Sequence, residues 1–108
     1  MRSVTRMRLE GCAAVSTGRV RFYVPTHIGS RVPMQGRVVD VAPHLSAVFA
    51  VHEAHNQPGW CVSDIDSGGK AGFSLTSEDG AIADAIANLA TRTDADMRRA
   101  RKRLRQMA

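Results

Sequence analysis

Alternating polar and apolar positions over residues 19–24 (RVRFYV) place Val20 and Phe22 on one side and Arg19 and Arg21 on the other, the period-two pattern of a half-buried strand. Pro25 ends it. Residues 26–36 contain Gly29, Pro33 and Gly36 and read as a loop, and residues 37–41 as a second strand closed by Pro43. Residues 46–53 (SAVFAVHE) are apolar at both parities, as a strand covered on both faces must be. After a loop at 55–59 (HNQPG), residues 60–65 (WCVSDI) alternate again. A turn at 66–69 (DSGG) then leads to residues 71–75 (AGFSL), completing an antiparallel meander. Residues 1–18 offer only Val4, Arg6 and Arg8 alternating with Met7 and Leu9. They form a poorly defined N-terminal segment ahead of a single domain over residues 19–108.

The period then changes to that of helices. Thr76, three residues before Asp79, makes a capping-box arrangement, with Glu78 and Asp79 suited to the positive end of a helix dipole. Ile82, Ala85, Ile86 and Leu89 follow at helical spacing and predict a stripe packed on the sheet. The opposite side, Ala83, Ala87 and Ala90, is small enough to admit a second packing partner. Thr93 and Asp96 repeat the capping pattern and open a second helix, or a kinked continuation of the first. In it Met97, Ala100, Leu104 and Met107 fall within an arc of about 80°. Arg98, Arg99, Arg101, Lys102, Arg103 and Arg105 spread over about 200° opposite. The expected fold is α+β: an antiparallel meander sheet packed by one helix, followed by a basic C-terminal helix.

Composition adds limits. The 108 residues are 44% hydrophobic, enough for one real core, and only 5% aromatic, so Val, Ile, Leu, Ala and Met must fill it. No apolar run approaches the roughly 18 residues of a membrane span, and no apolar stretch follows the basic N-terminus as in a signal peptide. The expectation is a cytoplasmic protein with no membrane partner and with Cys12 and Cys61 as reduced thiols.

Charge is segregated. Residues 1–37 hold seven Arg and Glu10, residues 38–91 hold Lys70 against seven carboxylates, and residues 92–108 hold seven basic residues against Asp94 and Asp96. The net charges are therefore +6, −6 and +5, which sum to the +5 of the chain. Even solvation would not need such blocks; an anionic partner for the ends explains them. Arginine outnumbers lysine five to one in the C-terminal run, and arginine is the side chain suited to bidentate phosphate contacts.

Catalytic and metal-binding patterns are sparse. His27, His44, His52 and His55 lack the paired CxxC or third converging ligand of a zinc site. No GxSxG occurs, and Gly68-Gly69-Lys70 lacks the rest of a phosphate-binding loop. Cys61 could be activated by His52 or His55 across a hairpin, but a cysteine beside Trp60 on a strand reads as core. Asp64 and Asp66, beside Gly68 and Gly69, read as turn-setting residues. The expectation is no enzyme, no cofactor and no metal.

Residues 71–82 (AGFSLTSEDGAI) resemble the strand-to-helix junction of HicB-type antitoxins, in which a glycine-bearing strand leads to a Thr, two residues, an acid and an alanine-rich helix. That resemblance covers at most residues 46–90 and implies a meander-plus-helix domain, with DNA or toxin binding elsewhere in the chain. Gly80 stands where that family usually has Ala, and no HicB DNA-binding segment is present. The stretch around Pro58-Gly59-Trp60, Val62-Ser63, Ser67-Gly68 and Ala81-Ile82 is similar in texture to small phage and mobile-element proteins, anti-CRISPR inhibitors among them. Such proteins act by occupying a partner's surface.

These readings lead to three expectations. In the first, Arg98, Arg99, Arg101, Lys102, Arg103 and Arg105 engage nucleic acid or a nucleoprotein complex, assisted by Arg19, Arg21, Arg31 and Arg37. In the second, an acidic surface of Asp40, Glu53, Asp64, Asp66, Asp79 and Asp84 docks in the groove of a basic nucleic-acid-binding protein, as an anti-CRISPR inhibitor would. In the third, His52, His55 and Cys61 build an enzyme or metal site. Met97, Leu104 and Met107 could also form the seam of a homodimer.

Overall fold

The computed structural model describes residues 19–26 and 29–107, so the expectations placed on residues 1–18 and on His27 lie outside the described residues. Strands β1 (Arg19–Pro25), β2 (Arg31–Val39), β3 (Phe49–Glu53), β4 (Trp60–Asp64) and β5 (Lys70–Ser74) precede helices α1 (Glu78–Leu89) and α2 (Asp94–Met107). The strands form one sheet in chain order, every neighbour antiparallel, with a bulge between β4 and β5 at Val62/Ser63. The fold is α+β, and no described helix is long and apolar enough to cross a membrane.

The loop expected at residues 26–36 is mostly strand. Its tight turn is confined to the hairpin tip, where Thr26 N–H donates to the Ser30 carbonyl (2.8 Å) and Gly29 takes φ +88°. Pro33 is tolerated inside β2 because that part of the strand has only β1 beside it, across from Tyr23. Gly36 marks a close crossing: a Cβ there would lie 2.6 Å from the Val51 carbonyl oxygen. β2 pairs with β3 only at Arg37, Val38 and Val39, so beyond Gly36 the β1–β2 hairpin leaves the sheet and curls over it. Its far end reaches the β4–β5 turn. There Arg31 Nη2 donates to the Ser67 carbonyl (2.8 Å), and a Cβ on Gly68 would strike the Tyr23 carbonyl oxygen at 2.2 Å.

Two cores result. Inside the curl, Phe22, Val24 and Ala50 are buried with Val32, Met34 and Ile65 against them. On the outer face, Phe49, Val51 and Val62 lie beneath Ala81, Ala85 and Leu89 of α1, closed at the end by Val41, Ala42 and Leu45. Each large apolar side chain so buried contributes roughly 1.5–3 kcal/mol. β3 is buried at Phe49, Ala50, Val51 and His52, as its two-sided apolar pattern requires.

Helix α1 differs from expectation in two respects. Its N-cap is Ser77 rather than Thr76; Ser77 Oγ accepts the Gly80 N–H at 2.9 Å. The buried stripe is Ala81, Ala85 and Leu89 with Ile82 half-buried, whereas Ile86 stays 48% exposed. The cause is the closeness of α1 to β5: a Cβ on Gly72 would sit 2.5 Å from the Ala81 carbonyl oxygen, so only alanine-sized residues fit that contact. α1 also covers the free edge of β5, since Asp84 Oδ2 accepts the Phe73 N–H (2.9 Å) and Asn88 Nδ2 donates to the Ala71 carbonyl (2.9 Å).

Candidate polyanion-binding surface

Helix α2 begins as its sequence implies. Thr93 Oγ1 accepts the Asp96 N–H (3.2 Å) while Asp96 Oδ2 accepts the Thr93 N–H (2.9 Å), a reciprocal capping box. Side chains then fasten the helix to the sheet. Asp94 Oδ1 accepts from the Ser46 N–H (2.9 Å) and the Ser46 hydroxyl (3.1 Å), and these two bonds hold the Asp94 carboxyl below its ordinary pKa. Met97 packs on the outer core, and Leu104 meets the β4–β5 turn at Gly69.

The strongest fastening is polar. Arg101 Nε and Nη2 donate to Asp64 Oδ2 (2.7 Å) and Oδ1 (3.2 Å), a bidentate pair in which the Asp64 side chain is 2% exposed and that of Arg101 19%. The hydrogen bonds to Asp64 hold the Arg101 guanidinium above its ordinary pKa. Asp64 also accepts from the Asp66 N–H (3.1 Å) and the Ser67 hydroxyl (3.0 Å). Arg101, expected on the cationic face, therefore belongs to the seam. The structure corrects that assignment: Arg101 borders the apolar arc on its Met97 side, about 40° away, and Asp64 holds it there.

What remains outside is a narrower and better-defined face. Arg98, Arg99, Lys102, Arg103 and Arg105 are all exposed and fall within an arc of about 160°. Arg99 pairs with Asp96 one turn back. Among the described residues no carboxylate lies within ion-pair distance of Arg98, Lys102, Arg103 or Arg105.

The other proposed residues divide. Arg19, Arg21 and Tyr23 project from the outer face of the β1–β2 hairpin. Arg19 is the direct cross-strand partner of Arg37, an unfavourable opposition of like charges, and Arg37 is drawn to Glu78 at 2.8 Å. Of the acidic surface, Asp64 and Asp84 are engaged internally, leaving Asp66, Asp79, Asp40 and Glu53 exposed at separate places.

One arrangement was missed by sequence reasoning. His52 and Ser63 lie on adjacent strands, facing the inside of the curl, with His52 Nε2 and Ser63 Oγ 2.8 Å apart and His52 Nδ1 2.7 Å from the Glu53 carbonyl. Phe22 stacks edge-on against the imidazole. Burial lowers the His52 pKa below 6.5, and it raises that of the Cys61 thiol. Both line a groove of about 710 Å³ together with His55 and Lys70, beneath the hairpin tip. His52 is the register partner of Cys61 and reaches Ser63 only diagonally, a placement that a lone His and Ser eleven residues apart do not announce. Among the described residues no three His, Cys, Asp or Glu side chains converge as metal ligands.

Comparison of the chain with protein-family models, with curated proteins and with solved structures finds no match.

Proposed function

We propose that this chain binds nucleic acid, alone or within a nucleoprotein complex, through the outer face of α2. The observation that carries the reading is the quartet Arg98, Lys102, Arg103 and Arg105. They are exposed, free of carboxylate partners among the described residues, and presented on a helix whose other side is fixed by Arg101 and Met97. Arg98, Lys102 and Arg105 follow at i, i+4 and i+7, so one row of cations runs about 10 Å along the helix axis. A helix held rigidly by its seam presents these charges at lower entropic cost than a free tail would. Arg19 and Arg21 on the hairpin extend the cationic field.

The acidic-surface reading is the weaker one, because Asp64 and Asp84 serve the fold. The test is fluorescence anisotropy of a labelled duplex titrated with the protein at several salt concentrations. Four phosphate contacts give log K falling with log salt at a slope of about −3.6. Changing Arg98, Lys102, Arg103 and Arg105 together to Gln flattens that slope, whereas Arg98→Lys retains it. Binding that is absent at low salt, or whose slope is the same in the quadruple variant, overturns the reading.

A further inference from the structure

We infer that Ser63 is an activated nucleophile, with His52 as its general base, at the floor of a groove that admits a small ester. This goes beyond the nucleic-acid reading and departs from the expectation of a chain without catalytic groups.

The hydrogen-bond pattern fixes the direction of proton flow. A carbonyl oxygen can only accept, so the Glu53 carbonyl at 2.7 Å requires His52 Nδ1 to carry the proton. His52 Nε2 of the neutral ring then has a free lone pair and accepts the Ser63 hydroxyl at 2.8 Å. Nucleophile, base and orienting group are thus in the order that serine activation needs. Burial favours the neutral imidazole, the form able to accept the hydroxyl proton.

Access distinguishes this pair from one that only fills a core. The groove above it, about 710 Å³, lies within the roughly 300–1,000 Å³ range of small-molecule sites. Val24, Pro25 and Val32 line it with apolar surface, and Lys70, the register partner of Ser63, lines it with positive charge. The bulge at Val62/Ser63 falls at the nucleophile itself, the kind of irregularity that re-aims a side chain. Because Ser63 has almost no exposed surface, only a slim acyl group reaches it. Cys61 shares the groove but not the base: its thiol pKa is raised, and His52 Nε2 is engaged with Ser63.

In the reaction, Ser63 Oγ attacks the ester carbonyl carbon as its proton passes to His52 Nε2, and the carbonyl π pair moves onto oxygen. On collapse the bond to the alcohol oxygen breaks, that oxygen leaves with the electron pair, and His52 Nε2 returns the proton to it. The products are acyl-Ser63, the free alcohol and neutral His52.

The full chain is incubated separately with 4-nitrophenyl acetate and with an alkyl fluorophosphonate, then read by intact mass and peptide mapping. The expected result is one adduct per chain on Ser63, with a burst of one equivalent of nitrophenol. Ser63→Ala abolishes labelling, and His52→Gln slows it at least about a hundredfold. An unlabelled native chain, or an adduct mapped to any residue other than Ser63, overturns the inference. Both results are read on the native protein and stand even if a variant fails to fold. Neither bears on the salt slope of duplex binding, so the two readings fail separately.

Discussion

Replacing Arg101 by Met is the sharpest test of how the C-terminal helix is held. The substitution keeps an unbranched apolar stem of similar reach but removes the bonds at 2.7 and 3.2 Å to Asp64, leaving a carboxylate 2% exposed without its counter-charge. Deleting one partner of a buried ion pair costs about 3–5 kcal/mol. Here the figure belongs at the low end, about 3 kcal/mol, because Arg101 is partly solvated and Asp64 keeps its bonds from the Asp66 N–H and the Ser67 hydroxyl. For a domain of this size that corresponds to a melting temperature lower by roughly 12–24 °C. Urea unfolding followed by far-ultraviolet circular dichroism gives the number directly. The double variant Asp64→Leu with Arg101→Met, which leaves no buried charge, recovers at least about half of the loss. A loss below about 1 kcal/mol for Arg101→Met would place the pair among ordinary exposed ion pairs. It would refute the claim that this contact fixes the cationic face.

Three further outcomes follow from the geometry. Ser77→Ala costs about 1 kcal/mol in urea unfolding, as loss of an N-cap does. Thr76→Ala stays within about 0.5 kcal/mol, and the reverse order would restore Thr76 as the cap. Gly72→Val destabilises by about 1–3 kcal/mol or more, because its Cβ meets the Ala81 carbonyl at 2.5 Å; an unchanged melting temperature would disprove the close approach of α1 to β5. His52 titrates below 6.5 in the folded chain because burial disfavours the imidazolium, so as pH falls the unfolded chain takes up its proton first. The stability it contributes is complete above pH 6.5 and is lost as pH falls from there towards the folded value. Urea midpoints measured from pH 8 to 5 show that decline, and it persists in His55→Asn, whose site is exposed; a flat profile contradicts the burial of a neutral imidazole.

The parts of this fold that the sequence announces are those set by local periodicity. The two-sided apolar run over residues 46–53 has the pattern of a central strand, and Thr93 with Asp96, spaced for a capping box, marks a helix start that the structure places at the head of α2. What stayed hidden depended on contacts distant in the chain. Pro33 and Gly36 look like loop punctuation until β2 is seen to have one neighbour at the first and to cross β3 at the second. Ile86 has the spacing of a buried residue, but the approach of α1 at Gly72 turns the helix so that Ala81 faces the sheet instead. Cys61 reads as core from its place beside Trp60, and it is the register partner of His52, yet the imidazole bonds diagonally to Ser63, a contact that no local pattern announces.

The charge pattern combines both kinds of information. Blocks of +6, −6 and +5 along the chain read as one divided surface, yet folding closes links across the blocks: Arg101 to Asp64 and Asp66, and Arg37 to Glu78. Those links answer why the acidic middle exists at all. It ties α2 to the sheet through Asp64 and β2 to the start of α1 through Glu78. They do not neutralise the ends, since Arg19, Arg21, Arg98, Lys102, Arg103 and Arg105 stay exposed, with no carboxylate within ion-pair distance among the described residues. A helix that needed arginine only for solubility would not immobilise one of them against a buried aspartate at a desolvation cost of several kcal/mol. Fixing the orientation of the remaining cations gives that expenditure a purpose, and Arg101→Met decides the matter. If Arg101→Met, at a temperature where the chain is still folded, leaves duplex affinity unchanged, orientation is irrelevant and the cations act only as a diffuse charge. If affinity falls while the salt slope set by the four outer cations holds, the seam is what aims them.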